Sequence, residues 1–257
     1  MKCDLHGKVS VVTGAARGIG KAIADRLAAN GSIVYYSDRN VDELREAASG
    51  GRWLQLDVTN SQQIAAAVEQ VRSEAGRIDI LVNNAGVNSL THRVPADQYP
   101  RSEWDRILAV DLTAVFDVSQ AFAPMMRQQK SGRIINIASI AGLVPLRLQC
   151  AYVAAKAGVV NLTKAMALEL GTSGILVNGI APGSTLTEGT RKLFYGDDGM
   201  FRESVQKMLD HVPLGRPAEV DEIAVAALFL ADPENTYMNG HVLVVDGGWI
   251  AGYAREF

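Results

Sequence analysis

The sequence contains little cysteine and no excess of positive charge. Its 257 residues include only two cysteines, Cys3 and Cys150, which are far apart and lack the spacing of a metal site. This scarcity argues against a disulfide scaffold and fits a reducing compartment. The formal net charge of −3 gives no basic field, so nucleic acid is not an expected partner.

Two further absences concern membranes and metals. No stretch has the uninterrupted apolar length of a membrane span, and residues 1–12 lack the apolar run and small-residue cleavage site of a signal peptide. No cluster of His, Cys and carboxylate residues has metal-ligand spacing. We therefore expect a soluble cytoplasmic protein with no catalytic metal and no membrane partner.

Short apolar runs alternate with helical patterns along the chain. The runs are continuous in Val, Ile and Leu, which is typical of parallel strands covered by helices on both faces. This alternation predicts the α/β class, with a doubly wound parallel β-sheet of Rossmann type. Strands are predicted at 8–13, 32–37, 52–56, 78–82, 132–137, 175–180 and 242–245, and helices at 18–29, 41–48, 64–74 and 152–170.

The sequence shows no linker, repeat or low-complexity tract, so we predict one domain over residues 1–257. Its least regular part, residues 184–200, contains three glycines and two adjacent aspartates. Long irregular inserts in compact domains are often lids or binding loops. We therefore expect a substrate-loop insert at about 184–212.

A glycine-rich loop lies where the first predicted strand meets the first predicted helix. It follows the pattern Gly-x-x-x-Gly-x-Gly, in which glycines permit a tight turn and bring backbone N–H groups close to a pyrophosphate. Glycines also cluster in ordinary strand–helix turns, and that alternative stays open at this point. The candidate cofactor-binding residues here are Gly14, Arg17, Gly18, Ile19 and Gly20.

Asp38 follows the second predicted strand, where a carboxylate can bind the adenosine ribose hydroxyls. The same charge would repel a 2′-phosphate, which favours NAD over NADP. Arg17 and Arg39 leave NADP open, since either guanidinium can bind a phosphate. The alternative role for Asp38 is that of a solvated turn residue.

Two later loops fit the same cofactor edge. Asp57 and Val58 follow the third strand and could contact the adenine, and Asn83, Ala85 and Gly86 follow the fourth, where small residues admit a cofactor closely. Each is equally explained as an ordinary turn.

Tyr152 and Lys156 are four residues apart in a predicted helix, so their side chains share one helix face. A nearby cation favours a phenolate, which suits a tyrosine for acid/base work. Ser139, thirteen residues before the tyrosine, could hydrogen-bond a substrate oxygen. Taken singly, the pair occurs by chance on many helices and Ser139 is a common helix cap.

Together, these residues resemble the short-chain dehydrogenase/reductase family in its shorter, single-domain branch. The likeness runs from Val9 to Gly248. It rests on Thr13–Gly20, Asp57–Val58, Asn83–Gly86, Ser139, Tyr152, Lys156, Pro182–Gly183 and the closing segment Gly240–Gly248.

The resemblance implies roles for individual residues. Tyr152 would exchange a proton with the substrate oxygen, Ser139 would orient that oxygen, and Lys156 would hold the nicotinamide ribose. Two further sets of contacts are implied: Asn83 and Gly86 on the adenosine side, and Pro182, Gly183, Thr185 and Thr187 towards the nicotinamide and the phosphates. The family also implies a homotetramer that uses the long helices after Ser102 and Tyr152 and the segment Val242–Gly248.

Asp111 departs from the family pattern, which usually has Asn at this position to support a water leading to the active lysine. A carboxylate accepts hydrogen bonds but has no amide donor. We expect Asp111 to stabilise a protonated Lys156 and activity to survive, with an altered pH dependence. The alternative is a local cap or ion pair.

The substrate is the least determined feature. His92, Arg147 and Gln149 are candidate substrate contacts that would suit a hydroxylated molecule, although each is also a plausible exposed loop residue. The leading hypothesis is NAD-dependent oxidation of a polyol or sugar alcohol. Two alternatives remain: an NADPH-dependent 3-oxoacyl thioester reductase, and a non-catalytic dinucleotide sensor.

Overall fold

The computed structural model describes residues 3–48, 51–88, 92–195 and 201–252. The strands in these ranges are β1 Val9–Thr13, β2 Ile33–Asp38, β3 Arg52–Gln55, β4 Ile80–Asn83, β5 Gly132–Ile137, β6 Ile175–Pro182, β7 Thr185–Leu186, β8 Ala218–Glu219 and β9 Val242–Val245. The α-helices are α1 Gly18–Ala29, α2 Val41–Ala47, α3 Ser61–Ala75, α4 Arg101–Leu108, α5 Ala114–Gln129, α6 Cys150–Gly171, α7 Glu188–Phe194, α8 Glu203–Leu209 and α9 Val220–Ala231.

Seven strands form one sheet in the order β3-β2-β1-β4-β5-β6-β9, and every neighbouring pair is parallel. Successive residues of a strand point to opposite faces. In β1, Val11 packs with α3 and α5 on one face, while Val12 packs with α1 and α9 on the other. Burial on both faces explains the continuous apolar runs, and the predicted doubly wound fold is confirmed.

The strand order changes direction between β1 and β4. In sheets of this type, ligands bind outside the carboxyl ends of the strands at that switch point. The loops that follow β1, β4 and β5 all leave from this edge, and they contain the glycine loop, Asn84–Gly86 and Ser139. The fold therefore brings these candidate residues together at the carboxyl ends of the strands.

The helical run Arg101–Gln129 is long and apolar enough to cross a membrane by length and composition alone. Its buried residues Val118, Phe122 and Met126 pack into the core formed with α3 and the sheet, as in a core helix. A π-helical turn, Ala109–Thr113, separates α4 from α5 within this run.

The predicted irregular insert is more regular than its composition indicates. Residues 184–212 include β7, α7 and α8, and a Thr187–Thr190 capping box begins α7. Residues 196–200 contain most of the glycines and aspartates of the predicted insert, and they lie outside the residues that the structure describes. The prediction missed these elements because helices of seven residues carry little periodic signal.

Candidate active site

The glycine loop needs glycine for two different reasons. Gly14 and Gly18 have φ angles of +64° and +59°, a left-handed conformation that costs other residues free energy. At Gly20, a methyl group would lie 2.2 Å from the Gly14 carbonyl oxygen and 2.3 Å from Asn84 Nδ2. Any side chain at Gly20 would therefore displace the loop.

Two polar residues of the motifs for which no role was predicted, Thr13 and Asn84, hold this loop in place. Asn84 Nδ2 donates to the Thr13 and Gly14 carbonyl oxygens at 2.9 and 3.1 Å. Thr13 Oγ1 accepts the N–H groups of Asn84 and Ala85 at 2.9 and 3.0 Å. The loops after β1 and β4 are thus joined into one unit.

The geometry at the start of α1 fits a dinucleotide pyrophosphate. Arg17 is the N-cap residue, and no described side chain caps the helix. Thr187 lies beside the loop, with its Cγ2 3.6 Å from the position of a methyl group on Gly18. Backbone N–H groups at a helix N-terminus bind phosphate well, and small neighbours leave the approach open.

The carboxyl end of β2 carries negative charge next to this loop. Asp38 Oδ2 accepts the Ala16 N–H at 3.4 Å, and Asp38 Oδ1 accepts the Asn40 N–H at 3.1 Å. The exposed guanidinium of Arg17 faces Glu43 at 3.9 Å. The Thr59 hydroxyl and N–H lower the pKa of Asp57, so this carboxyl is also ionised at neutral pH.

Three predicted cofactor residues make contacts inside the protein. The Asn83 side chain is turned inward and donates to Ser119 Oγ and Asn136 Oδ1 at 2.8 and 2.9 Å. Val58 is buried in the core, which leaves only its backbone for a ligand. Gly86 lies beside the lysine, since a methyl group there would lie 3.6 Å from Lys156 Nζ.

The turn after β6 is fixed by its own contacts. Gly183 packs so closely on Asp246 that a methyl group would lie 2.8 Å from the Asp246 Cα. Thr185 is buried, and its hydroxyl donates to the Gly183 carbonyl oxygen at 3.2 Å. Pro182, also buried, ends β6. These residues bring Thr187 to the glycine loop.

Ser139 follows β5, and Tyr152 and Lys156 lie in α6, which packs against the end of β5. Lys156 is buried and donates to the Ile137 carbonyl oxygen at 3.1 Å, and its Nζ lies 5.7 Å from the centre of the Tyr152 ring. Ser139 Oγ accepts the Ala141 N–H at 3.1 Å, so its own hydrogen is available for a ligand oxygen.

A close helix contact sets this geometry. At Gly142, a methyl group would lie 2.5 Å from the Lys156 carbonyl oxygen, so the turn Ile140–Gly142 packs directly against α6. Ser139 is the N-cap residue of that turn. A glycine at position 142 therefore fixes the serine relative to the tyrosine and the lysine.

Asp111 also reaches this group. It is fully buried in the π-helical turn, and its Oδ2 lies 3.6 Å from Lys156 Nζ. Burial raises the pKa of the Asp111 carboxyl above its usual range, against the opposing effects of Lys156, the Val87 N–H and Arg106.

The three predicted substrate residues differ in placement. Arg147 is exposed, and His92 faces Glu103 at 3.9 Å. Gln149 is buried directly before α6, and its Oε1 has no hydrogen-bond partner among the described groups. The structure therefore brings only Gln149 into the interior beside the catalytic helix.

An apolar cleft of about 280 Å³ lies next to the start of α6. Its walls include Val94, Leu146, Leu148 and Val153. Leu148 has a φ of +64°, a conformation that costs a leucine about 1–2 kcal/mol. Such strain is typical of segments shaped for binding.

The sequence of the chain is similar to those of several reductases and dehydrogenases. A family model described as enoyl-(acyl carrier protein) reductase matches residues 14–250. The 3-oxoacyl-(acyl-carrier-protein) reductase of Vibrio harveyi is 39% identical over 251 residues, which cover 95% of this chain and 98% of that protein. D-threitol dehydrogenase of Mycolicibacterium smegmatis is 41% identical over 252 residues, with 95% and 94% covered.

A solved structure extends the likeness to three dimensions. It is a gluconate 5-dehydrogenase from Burkholderia cenocepacia in complex with NADP and tartrate. The two folds agree with a TM-score of 0.88 at 34% identity, over 97% of this chain and 98% of that one.

Proposed function

Because the chain belongs to the short-chain dehydrogenase/reductase family, whose members are NAD(P)-dependent oxidoreductases acting on CH–OH groups, we propose that it oxidises a secondary alcohol of a polyol or sugar alcohol to the ketone, with NAD as acceptor. The observation that carries the cofactor choice is Asp38 beside the glycine loop, with its Oδ2 3.4 Å from the Ala16 nitrogen. A carboxylate there binds ribose hydroxyls and repels a 2′-phosphate.

Three residues of the chain have separate roles in the proposed reaction. Tyr152 takes the proton of the substrate hydroxyl, and Ser139 donates a hydrogen bond to the same oxygen. Lys156, held by the Ile137 carbonyl oxygen, binds the nicotinamide ribose and favours the phenolate form of the tyrosine. When bound, the nicotinamide accepts or supplies the hydride.

The polyol part of the proposal is supported by Gln149 and by the relatives. Gln149, three residues before Tyr152, has a buried Oε1 with no hydrogen-bond partner among the described residues, and a second substrate hydroxyl would supply the missing donor. D-threitol dehydrogenase and gluconate 5-dehydrogenase are among the similar proteins. This chain retains Ser139, Tyr152 and Lys156 together, the set that catalysis in this family uses. Their retention counts against the hypothesis of a non-catalytic sensor.

The test is cofactor reduction against a panel of polyols, sugars and simple secondary alcohols, with NAD and NADP in parallel. We expect turnover with NAD and a polyol. Asp38→Ser should raise the kcat/KM for NADP relative to NAD at least tenfold, whereas the matched variant Asp42→Asn, on α2, should not. Preference of the wild type for NADP would contradict the cofactor assignment.

A second candidate function is favoured by the apolar cleft of about 280 Å³ beside α6. Its apolar walls suit an acyl chain better than a polyol, and the Vibrio harveyi relative is a 3-oxoacyl-(acyl-carrier-protein) reductase. Strong reduction of an acetoacetyl thioester with NADPH, together with no activity on polyols, would favour this function over the first.

We also propose a homotetramer in the cytoplasm. Large apolar side chains are exposed on α5, α6 and β9, at Phe116, Leu168 and Val244. Exposed apolar patches of this kind commonly mark contacts between copies. Sedimentation at micromolar concentration should give a tetramer, and a monomer would contradict the proposal.

A further inference from the structure

Asp111 occupies an unusual place in the helical run between α4 and α5. It lies in the π-helical turn Ala109–Thr113, and its side chain is fully buried. Single π-turns inside α-helices are rare and are found frequently at functional sites. From this turn, the Asp111 carboxylate faces Lys156 on α6.

The two carboxylate oxygens have different surroundings. Oδ1 accepts the Val87 N–H at 2.7 Å, which ties Asp111 to the loop after β4. Oδ2 has no hydrogen-bond partner among the described groups and lies 3.6 Å from Lys156 Nζ. A methyl group on Gly86 would lie 3.5 Å from Oδ1 and 3.6 Å from Nζ, so the glycine borders this pair.

Charged and titratable groups on the packed elements define the field around the pair. Lys156 faces the Asp111 carboxylate from α6, and the centre of the Tyr152 ring lies 5.7 Å from Lys156 Nζ. Arg106 acts on the carboxylate from α4, where Glu103 accepts hydrogen bonds from the guanidinium at 2.8 and 2.9 Å. On α5, the nearest charged residue in the sequence is Asp117. Lys156 is thus the closest cation to Asp111 for which the structure gives a contact.

We propose that Asp111 is a positioning residue that holds the Lys156 ammonium and offsets part of its charge, and so sets the pH range in which Tyr152 can act as a base. An ammonium beside a carboxylate attracts a phenolate less than an ammonium beside a neutral amide does. Asp111 therefore moves the working pH range of the base upward.

This inference rests on the proposed function, and Asp111→Asn tests it. The amide retains the acceptor for the Val87 N–H and removes the charge. The acidic limb of the pH profile of alcohol oxidation should move to lower pH, by roughly one pH unit for one charge removed nearby. The alkaline limb of ketone reduction should move in the same direction. Should the amide not fold, Asp111→Ser removes the same charge with a smaller side chain.

A matched control is Asp79→Asn. It removes a buried carboxylate at the opposite, amino-terminal ends of the parallel strands and should leave the pH profile unchanged. A merely structural role for Asp111 would change the amount of folded protein without moving the limbs. Unmoved limbs, a shift to higher pH, or the same shift in the control would overturn the proposal.

NAD binding as a function of pH gives a readout that does not need turnover. Because Asp111 holds the lysine that binds the ribose, Asp111→Asn should change the NAD affinity and its dependence on pH, whereas Asp79→Asn should not. Wild-type protein that binds NAD but oxidises no alcohol would refute the proposed function, whereas identical binding profiles in both proteins would refute the role of Asp111.

Discussion

A buried aspartate lies at each end of the parallel strands, and the surroundings of the two differ. We call the amino-terminal ends of the strands the amino edge of the sheet and their carboxyl-terminal ends the carboxyl edge. At the amino edge, Asp79 accepts the Val9 N–H and Arg77 Nε, both at 2.9 Å, and its other oxygen accepts from the second arm of the same guanidinium. At the carboxyl edge, Asp111 accepts one N–H and leaves Oδ2 facing Lys156 at 3.6 Å. A carboxylate whose two oxygens both accept hydrogen bonds stabilises the fold. A carboxylate with one unpaired oxygen beside a lysine is available for chemistry.

Two glutamines repeat the contrast. Gln129, at the amino edge, accepts the Ile78 N–H at 2.9 Å and donates to the Ile78 carbonyl oxygen at 2.8 Å. Gln149, at the carboxyl edge, is more buried and leaves its Oε1 without a described partner. The same residue type therefore closes the fold at one edge and remains open to a ligand at the other.

The largest effect is expected at the carboxyl edge, from Tyr152→Phe. Removal of the hydroxyl should lower kcat by about 10²- to 10⁴-fold, because proton transfer to a positioned acid/base is lost. NAD affinity and the unfolding midpoint should stay near those of the wild type, as measured by calorimetry and urea denaturation. Retained turnover would place the acid/base elsewhere.

At the amino edge, Asp79→Asn should act on stability instead. The variant loses the charge that pairs with Arg77 and faces Lys8 at 3.6 Å. Hydrogen bonds to charged groups contribute about 1.5–3 kcal/mol each, so the free energy of unfolding should fall by about 2 kcal/mol. Turnover per folded molecule should not change. Asp105→Asn, in an exposed pair with Arg101, is the control and should cost less than about 1 kcal/mol.

The smallest difference is expected between the glutamines. Gln129→Leu leaves the Ile78 N–H and carbonyl oxygen unpaired and should lower the free energy of unfolding by about 1–3 kcal/mol. Gln149→Leu should leave stability unchanged or raise it, since the Oε1 it removes has no described partner. Equal losses in urea denaturation would show that the two edges are built alike.

Much of the fold follows from the sequence, because apolar periodicity and caps are local. The predicted bounds of α1, β5 and β9 agree with the structure. Helix α3 begins three residues earlier than predicted because the Asn60 side chain caps it by accepting the N–H groups of Gln62 and Gln63.

Side-chain direction at the site was harder to predict. Asn83 and Asn84 are neighbours of the same type, yet Asn83 faces the core and Asn84 faces the glycine loop. The direction of each side chain depends on its odd or even position in β4 and on where that strand ends. The local sequence pattern does not fix where a strand ends. The π-turn that aims Asp111 at Lys156 is also invisible to a helical periodicity of 3.6 residues.

Hydrogen–deuterium exchange with and without saturating NAD tests most directly whether the carboxyl edge is the functional one. Addition of NAD should slow exchange in residues 13–20, 83–88 and 137–142. Exchange in residues 5–9, 77–80 and 129–133, at the amino edge, should not change. Protection confined to the amino edge, or equal at both edges, would contradict the assignment of the site.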